Sequence, residues 1–245
     1  VLVHGFTQTL ASWRTVAAAL AGDHRVVRVD APGHGGSSTV RADLATSARL
    51  LGDAGGRAVY VGYSMGGRTV LRLALDRPDL VAGLVLIGAT AGIDDPDERS
   101  ARRRADHALA RHIEEIGVPA FLTEWLARPL FDGLPDDPEE RRARSTNTAA
   151  GLAASLRDAG TGTMDPPWWD EVARITAPTV AMAGEHDATF SALARRLSST
   201  IPGSEVVIVA GAGHAAHLHD PDAVATVVRR LTAPGDAASP GLSRP

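Results

Sequence analysis

Short β-branched apolar runs alternate along this chain with longer stretches in which apolar residues return every three or four positions. The runs at 1–4, 25–30, 58–61, 83–87, 179–183 and 205–210 predict strands. The stretches at 11–21, 41–54, 67–76, 192–199 and 221–231 predict helices. Strand and helix in alternation predict an α/β fold, a mostly parallel sheet with helices on both faces. The rhythm breaks once. After Ile87 the next strand pattern begins only at Thr179, too far for a plain connection. The intervening segment is charged, helical in pattern and interrupted at Gly117-Val118-Pro119, at 133–138 and at Asp165-Pro166-Pro167. It predicts a helical lid inserted into the sheet domain. The expected organisation is a first half of the core at 1–93, the lid at 94–170, a second half of the core at 171–231 and a loose tail at 232–245.

The junction between the third predicted strand and its helix reads Gly62-Tyr63-Ser64-Met65-Gly66. A serine on so sharp a turn needs small neighbours, because bulky ones would collide with the flanking strand and helix. With many glycines in the chain, the pattern alone carries little weight. Two further features follow in order. Asp187 stands in Gly184-Glu185-His186-Asp187 after the fifth predicted strand, and His214 in Gly211-Ala212-Gly213-His214 after the sixth. Serine, then acid, then histidine is the chain order of the α/β-hydrolase fold, which this pattern resembles. Ser64, Asp187 and His214 are the expected catalytic residues, with Glu185 or Asp94 as alternative acids. His217 and His219 are expected to be surface or supporting groups. The expected oxyanion donors are the backbone N–H groups of Phe6, after the His4-Gly5 turn, and of Met65.

Composition narrows the chemistry. All 25 basic residues are arginine, so lysine chemistry is excluded, and the absence of cysteine excludes thiol catalysis, disulfides and thiolate metal sites. Net charge is −4, which gives no reason to expect nucleic acid as a partner. No apolar run approaches the roughly 20 residues of a membrane span. No cofactor and no metal are expected.

A resemblance extends beyond the fold. It is carried by Gly62-Tyr63-Ser64-Met65-Gly66-Gly67-Arg68, by Glu98-Arg99-Ser100-Ala101-Arg102-Arg103-Arg104-Ala105-Asp106 and by the segment from Phe121 to Phe131 around Trp125. It continues through Arg144-Ser145-Thr146-Asn147, Gly160-Thr161-Gly162 and Trp168-Trp169. The chain resembles the 2-succinyl-6-hydroxy-2,4-cyclohexadiene-1-carboxylate synthases of menaquinone biosynthesis from about Val1 to Leu231. Relatives often carry a basic residue where Thr189 stands. The resemblance implies a lyase that eliminates pyruvate from an enolpyruvyl cyclohexene dicarboxylate. It implies Tyr63, Arg68, Arg102, Trp125 and Arg144 as substrate-binding residues, a small-molecule polycarboxylate as substrate and the cytoplasm as location. Guanidinium groups suit such a substrate, because each grips a carboxylate bidentately.

Other readings of the same residues stay open at this point. Between Asp94 and Asp170 there are ten arginines against sixteen acids, so the insertion is not basic as a whole. Arg102 stands four residues before Asp106, the spacing of a helix ion pair worth about 0.3–0.5 kcal/mol. Trp125 fits the core of the lid, and Tyr63 fits packing beside the serine. A hydrolase of esters or carbon–carbon bonds would use the same triad, and a binding protein would keep the fold without turnover. Oligomeric state is not legible.

Overall fold

A computed structural model describes residues 1–233; the rest of the expected tail lies outside the described residues. Six strands form one parallel sheet in the order β2-β1-β3-β4-β5-β6. They are β1 (Leu2–Val3), β2 (Arg28–Val29), β3 (Ala58–Tyr63), β4 (Val81–Ile87), β5 (Thr179–Gly184) and β6 (Glu205–Val209). The helices are α1 (Arg14–Leu20), α2 (Leu44–Gly55), α3 (Met65–Asp76), α4 (Pro96–Leu126), α5 (Pro138–Arg144), α6 (Ala149–Ala159), α7 (Ala188–Thr200), α8 (Ala216–His219) and α9 (Pro221–Thr232).

The central strands are apolar on both sides because both faces are covered. Along β4, Leu84 and Leu86 join a core with α2, α3 and α7, while Val85 and Ile87 join an opposite core with α1 and α9. Val180 and Met182 of β5 alternate with Ala181 and Ala183 in the same way. The strand order reverses at β1, and ligands of open α/β sheets bind beyond the carboxyl ends of the strands at such a reversal. β3, which leads to Ser64, lies next to β1 there.

Between β4 and β5 the chain builds a third core of its own from α4 and α6, including Ile113, Phe121, Leu122, Leu152 and Leu156. Asp95 caps α4 by accepting from the N–H groups of Asp97 and Glu98, and Pro96 occupies its first turn. The helix is broken at Gly117, whose φ of 76° and ψ of 167° are not helical. Met164, Trp168 and Trp169 belong instead to the core with α2, α3 and α7, tied there by the bonds Trp168 N–H to Ala91 C=O and Trp169 Nε1–H to Gly92 C=O. No helix of the described residues is long and apolar enough to cross a membrane.

Candidate active site

Ser64 ends β3 and caps α3 with φ 51° and ψ −105°, a backbone conformation that L-residues avoid. The surrounding packing holds it there. A Cβ on Gly62 would lie 2.4 Å from the Gly66 carbonyl oxygen, and one on Gly66 would lie 2.3 Å from that of Val3. Helix α3 therefore sits directly against β1 and β3, and only glycine fits at these contacts.

Asp187 is the N-cap of α7: Oδ1 accepts from the Phe190 N–H at 3.1 Å, which aims Oδ2 at His214. His214 Nδ1–H donates to that Oδ2 at 2.6 Å, leaving Nε2 to accept from the Ser64 hydroxyl at 3.3 Å. The loops carrying the two residues touch, since a Cβ on Gly184 would lie 2.1 Å from the Gly213 carbonyl oxygen. Asp187 and His214 are buried, and Phe190 packs on the imidazole at 4.4 Å between ring centres. Glu185 is occupied elsewhere, accepting from the Gly211 N–H, and Asp94 pairs with Arg196.

The Ser64 hydroxyl opens on a cavity of about 700 Å³ lined on one side by Phe6, Tyr63, Met65, Arg68 and His214 and on the other by residues of the insertion. Met65 begins α3, where N–H groups have no intrahelical partner, and the Phe6 N–H has no hydrogen-bond partner among the described residues. Both expected oxyanion donors thus belong to residues that line the cavity with Ser64. His4 is buried beneath them, donating from Nδ1 to the Gly5 carbonyl and accepting at Nε2 from the Ala31 N–H. Burial lowers its pKa to about 4, so it is a neutral structural group.

Arg68, one helical turn beyond Ser64, is 8% exposed and has no carboxylate within ion-pair distance among the described residues. Nη2 donates to the Ala159 carbonyl at 3.0 Å, while Nε is buried with no partner. Desolvation, followed by the nearby Arg102, lowers its pKa to about 10. Arg102 lines the same cavity and donates from Nε to Asp106 at 2.9 Å, so its sequence spacing does form the helix ion pair. Trp125 is both a lining residue and a packing one, with Phe6, Phe121 and Phe131 around it. Tyr63 lines the cavity and packs between His214 and His217.

Arg144 is not brought to the cavity. It is 1% exposed, with Nε on Glu140 Oε1 at 2.9 Å and Nη1 on Thr7 Oγ1 at 2.5 Å. Where the resemblance implies a substrate contact, the partner in this structure is Glu140, one turn earlier on α5. His217, expected at the surface or as support, is buried, stacked against Trp13 and Tyr63 and bonded to Gln8. The lining residues that were not anticipated include His112 and Arg128. His112 pairs with Glu124, whereas the Arg128 guanidinium lies 4.4 Å above the Trp125 ring and pairs with no carboxylate among the described residues.

A serine held at positive φ between strand and helix, linked through histidine to a buried aspartate on a parallel sheet, defines an enzyme of the α/β-hydrolase class. Residues 1–227 match the Alpha/beta hydrolase family. The chain belongs to that family, and within it to the family of the 2-succinyl-6-hydroxy-2,4-cyclohexadiene-1-carboxylate synthases. A protein of that name from Escherichia coli O1:K1 / APEC is 32% identical over 240 residues, covering 91% of this chain and 89% of its own. Among solved structures, MenH from S. aureus superposes with a TM-score of 0.86 at 28% identity, covering 94% of this chain and 91% of that one. A thermophilic esterase from Thermogutta terrifontis, determined with malate bound, gives 0.76 at 26% identity over 94% and 87% of the two chains.

Proposed function

We propose that this enzyme eliminates pyruvate from 2-succinyl-5-enolpyruvyl-6-hydroxy-3-cyclohexene-1-carboxylate, with Ser64, His214 and Asp187 acting as a base. The observation that carries the reading is Arg68: a buried guanidinium with no ion-pair partner among the described residues, facing the cavity one turn from the serine. A buried cation without a directly paired carboxylate is costly, and a bound carboxylate reduces that cost. Arg128 supplies further positive charge to the same cavity, and Arg102 lines it too with its charge shared with Asp106, which suits a substrate with several carboxylates.

In this mechanism the Ser64 oxygen takes a proton from the ring carbon as its own proton passes to His214 Nε2. Asp187 stabilises the imidazolium and fixes its tautomer. Negative charge gathers on the enolate oxygen, where the N–H groups of Phe6 and Met65 receive it. As the enolate collapses, the bond from ring carbon to enolpyruvyl oxygen breaks, and the proton returned from His214 completes pyruvate. No acyl-enzyme is required. The segment 94–170 serves as the lid that brings Arg102, Trp125 and Arg128 over the substrate, and a cytoplasmic location belongs to the same proposal.

The test is pyruvate release from the enzymatically generated substrate, with Ser64→Ala and an enzyme-free control. Release far above background that disappears in the variant is expected. Background-level release from protein that cleaves a simple aryl ester would replace the lyase with a hydrolase on the same triad, the reading to which the esterase likeness points.

A further inference from the structure

We infer that Arg144 is a positioning residue, which with Glu140 and Thr7 sets the Phe6 N–H where it meets developing negative charge. The inference rests on the proposed oxyanion role of Phe6 and departs from the expectation that Arg144 touches substrate.

Among the described residues only two that are not glycine have positive φ: Ser64 at 51° and Thr7 at 66°. One carries the nucleophilic hydroxyl and the other directly follows the Phe6 donor. A β-branched residue does not adopt this conformation unless its surroundings impose it. At Thr7 they do so at both polar groups. The side-chain Oγ1 accepts from Arg144 Nη1 at 2.5 Å, and the backbone carbonyl accepts from Asn147 Nδ2 at 2.7 Å. Asn147 is itself fixed, with Nδ2 also on the Arg144 carbonyl at 3.0 Å and Oδ1 accepting from the Gly35 N–H at 2.8 Å.

The guanidinium is held in turn. Glu140 Oε1 accepts from Arg144 Nε and also from the Ser12 hydroxyl at 2.7 Å. Both members of the pair are almost fully buried, at 4% and 1% exposure. On the other side of the loop, Gln8 Oε1 accepts from the Gly5 N–H at 3.0 Å, and its Nε2 meets His217 Nε2 at 3.2 Å. The turn from Gly5 to Gln8 is thus clamped at both ends, with Phe6 between the clamps. A buried, bidentately engaged guanidinium that does not border the cavity is placed to fix backbone geometry and not to receive a carboxylate.

Removing Arg144 outright would strand the Glu140 charge and risk unfolding, so the test uses milder changes. Thr7→Val deletes the hydroxyl acceptor at constant shape, Thr7→Ser retains it, and Arg144→Lys keeps the charge but not the fork. Each is assayed for pyruvate release, for thermal midpoint and for the rate at which a fluorophosphonate labels Ser64, a reaction that places an anionic oxygen in the same hole. Thr7→Val and Arg144→Lys should each lower kcat by roughly tenfold to a hundredfold, part of the loss seen when a whole oxyanion donor is deleted. Their KM should stay within about twofold and their labelling should slow in parallel. Thr7→Ser should restore both rates, and the double variant should be no worse than the poorer single one.

Arg144→Lys raising KM about tenfold at unchanged kcat, with Thr7→Val silent, would overturn the inference and return Arg144 to substrate binding. Variants indistinguishable from wild type would overturn it as well. If the wild type labels but releases no pyruvate, slower labelling in Thr7→Val still supports positioning, and only the substrate assignment fails. A wild type that neither releases pyruvate nor labels overturns both.

Discussion

Arg68 shows at the scale of one residue how function is held against stability. Its charge is desolvated, its pKa is lowered to about 10, and its Nε has no partner among the described residues. Replacing a buried, unpaired charge by an apolar side chain of similar length is often neutral or stabilising. Arg68→Met is therefore expected to melt no lower than the wild type even though it forfeits the bond to Ala159, a neutral-acceptor contact worth about 1 kcal/mol. The same substitution should raise KM for the polycarboxylate tenfold or more, because a charge-assisted pair contributes about 1.5–3 kcal/mol. Melting curves and steady-state kinetics on one preparation check both halves. A lower melting point with unchanged KM would make Arg68 a structural residue instead.

At the scale of elements, the elbow works because α3 is pressed onto the sheet. Gly66→Ala would drive a methyl group to 2.3 Å from the Val3 carbonyl oxygen and 2.6 Å from that of His4, and both atoms are backbone. Neither can yield without separating α3 from β1. The expected cost is about 1–3 kcal/mol, as for overpacked cores, together with loss of activity as Ser64 moves. Gly203→Ala is the matched control: its φ is 68° but a Cβ would meet nothing within 4 Å. It should cost only about 1 kcal/mol and leave activity intact. Equal effects of the two substitutions in denaturant titrations would count against steric pressing at the elbow. This close packing is also what made the site legible. Glycines at 62 and 66 mark where strand and helix touch, and the apolar runs at 58–61, 179–183 and 205–210 mark the strands whose ends deliver Ser64, Asp187 and His214. What stayed hidden depends on contacts distant in sequence. Arg144 takes a substrate role from the resemblance alone, since nothing near it in sequence announces Thr7, 137 positions away. Trp168 and Trp169 read as part of the insertion, but the Trp168 backbone N–H and the Trp169 indole N–H are anchored on the loop after β4. Surface and support stay undivided for His217 because its partners, Gln8, Trp13 and Tyr63, come from the first third of the chain.

Over the whole molecule, the response to acid is set by histidines buried neutral beneath the active site. Burial lowers the pKa of His4 to about 4 and that of His34 to about 3, the latter with the neighbouring His4 adding to the effect. Their rings meet edge to face at 5.1 Å, and Phe6 packs against His34. His217 is also held well below the ordinary histidine range by burial and by Arg144. Below an ordinary pKa near 6.5 the unfolded chain takes up protons that the native protein refuses, so stability rises with pH across that interval. The contribution is complete above about pH 6.5 and is lost as pH falls toward 4, on the order of 3 kcal/mol for His4 alone. The carboxylates act in a different window. Asp43 is held below its usual range mainly by the Thr46 N–H, and Asp94 by Arg196, so their contributions fade only at pH values below about 4. Between pH 6.5 and 4.5 the slope of stability therefore belongs chiefly to the histidines. Denaturant midpoints at half-unit steps across that interval should fall steadily, and His34→Asn should flatten the fall whatever it does to stability at pH 7.5. A variant with the wild-type slope would show that His34 takes no part. Because protonating His4 or His34 would put charge against the turn that carries Phe6, activity should fail on acidification no later than the fold does.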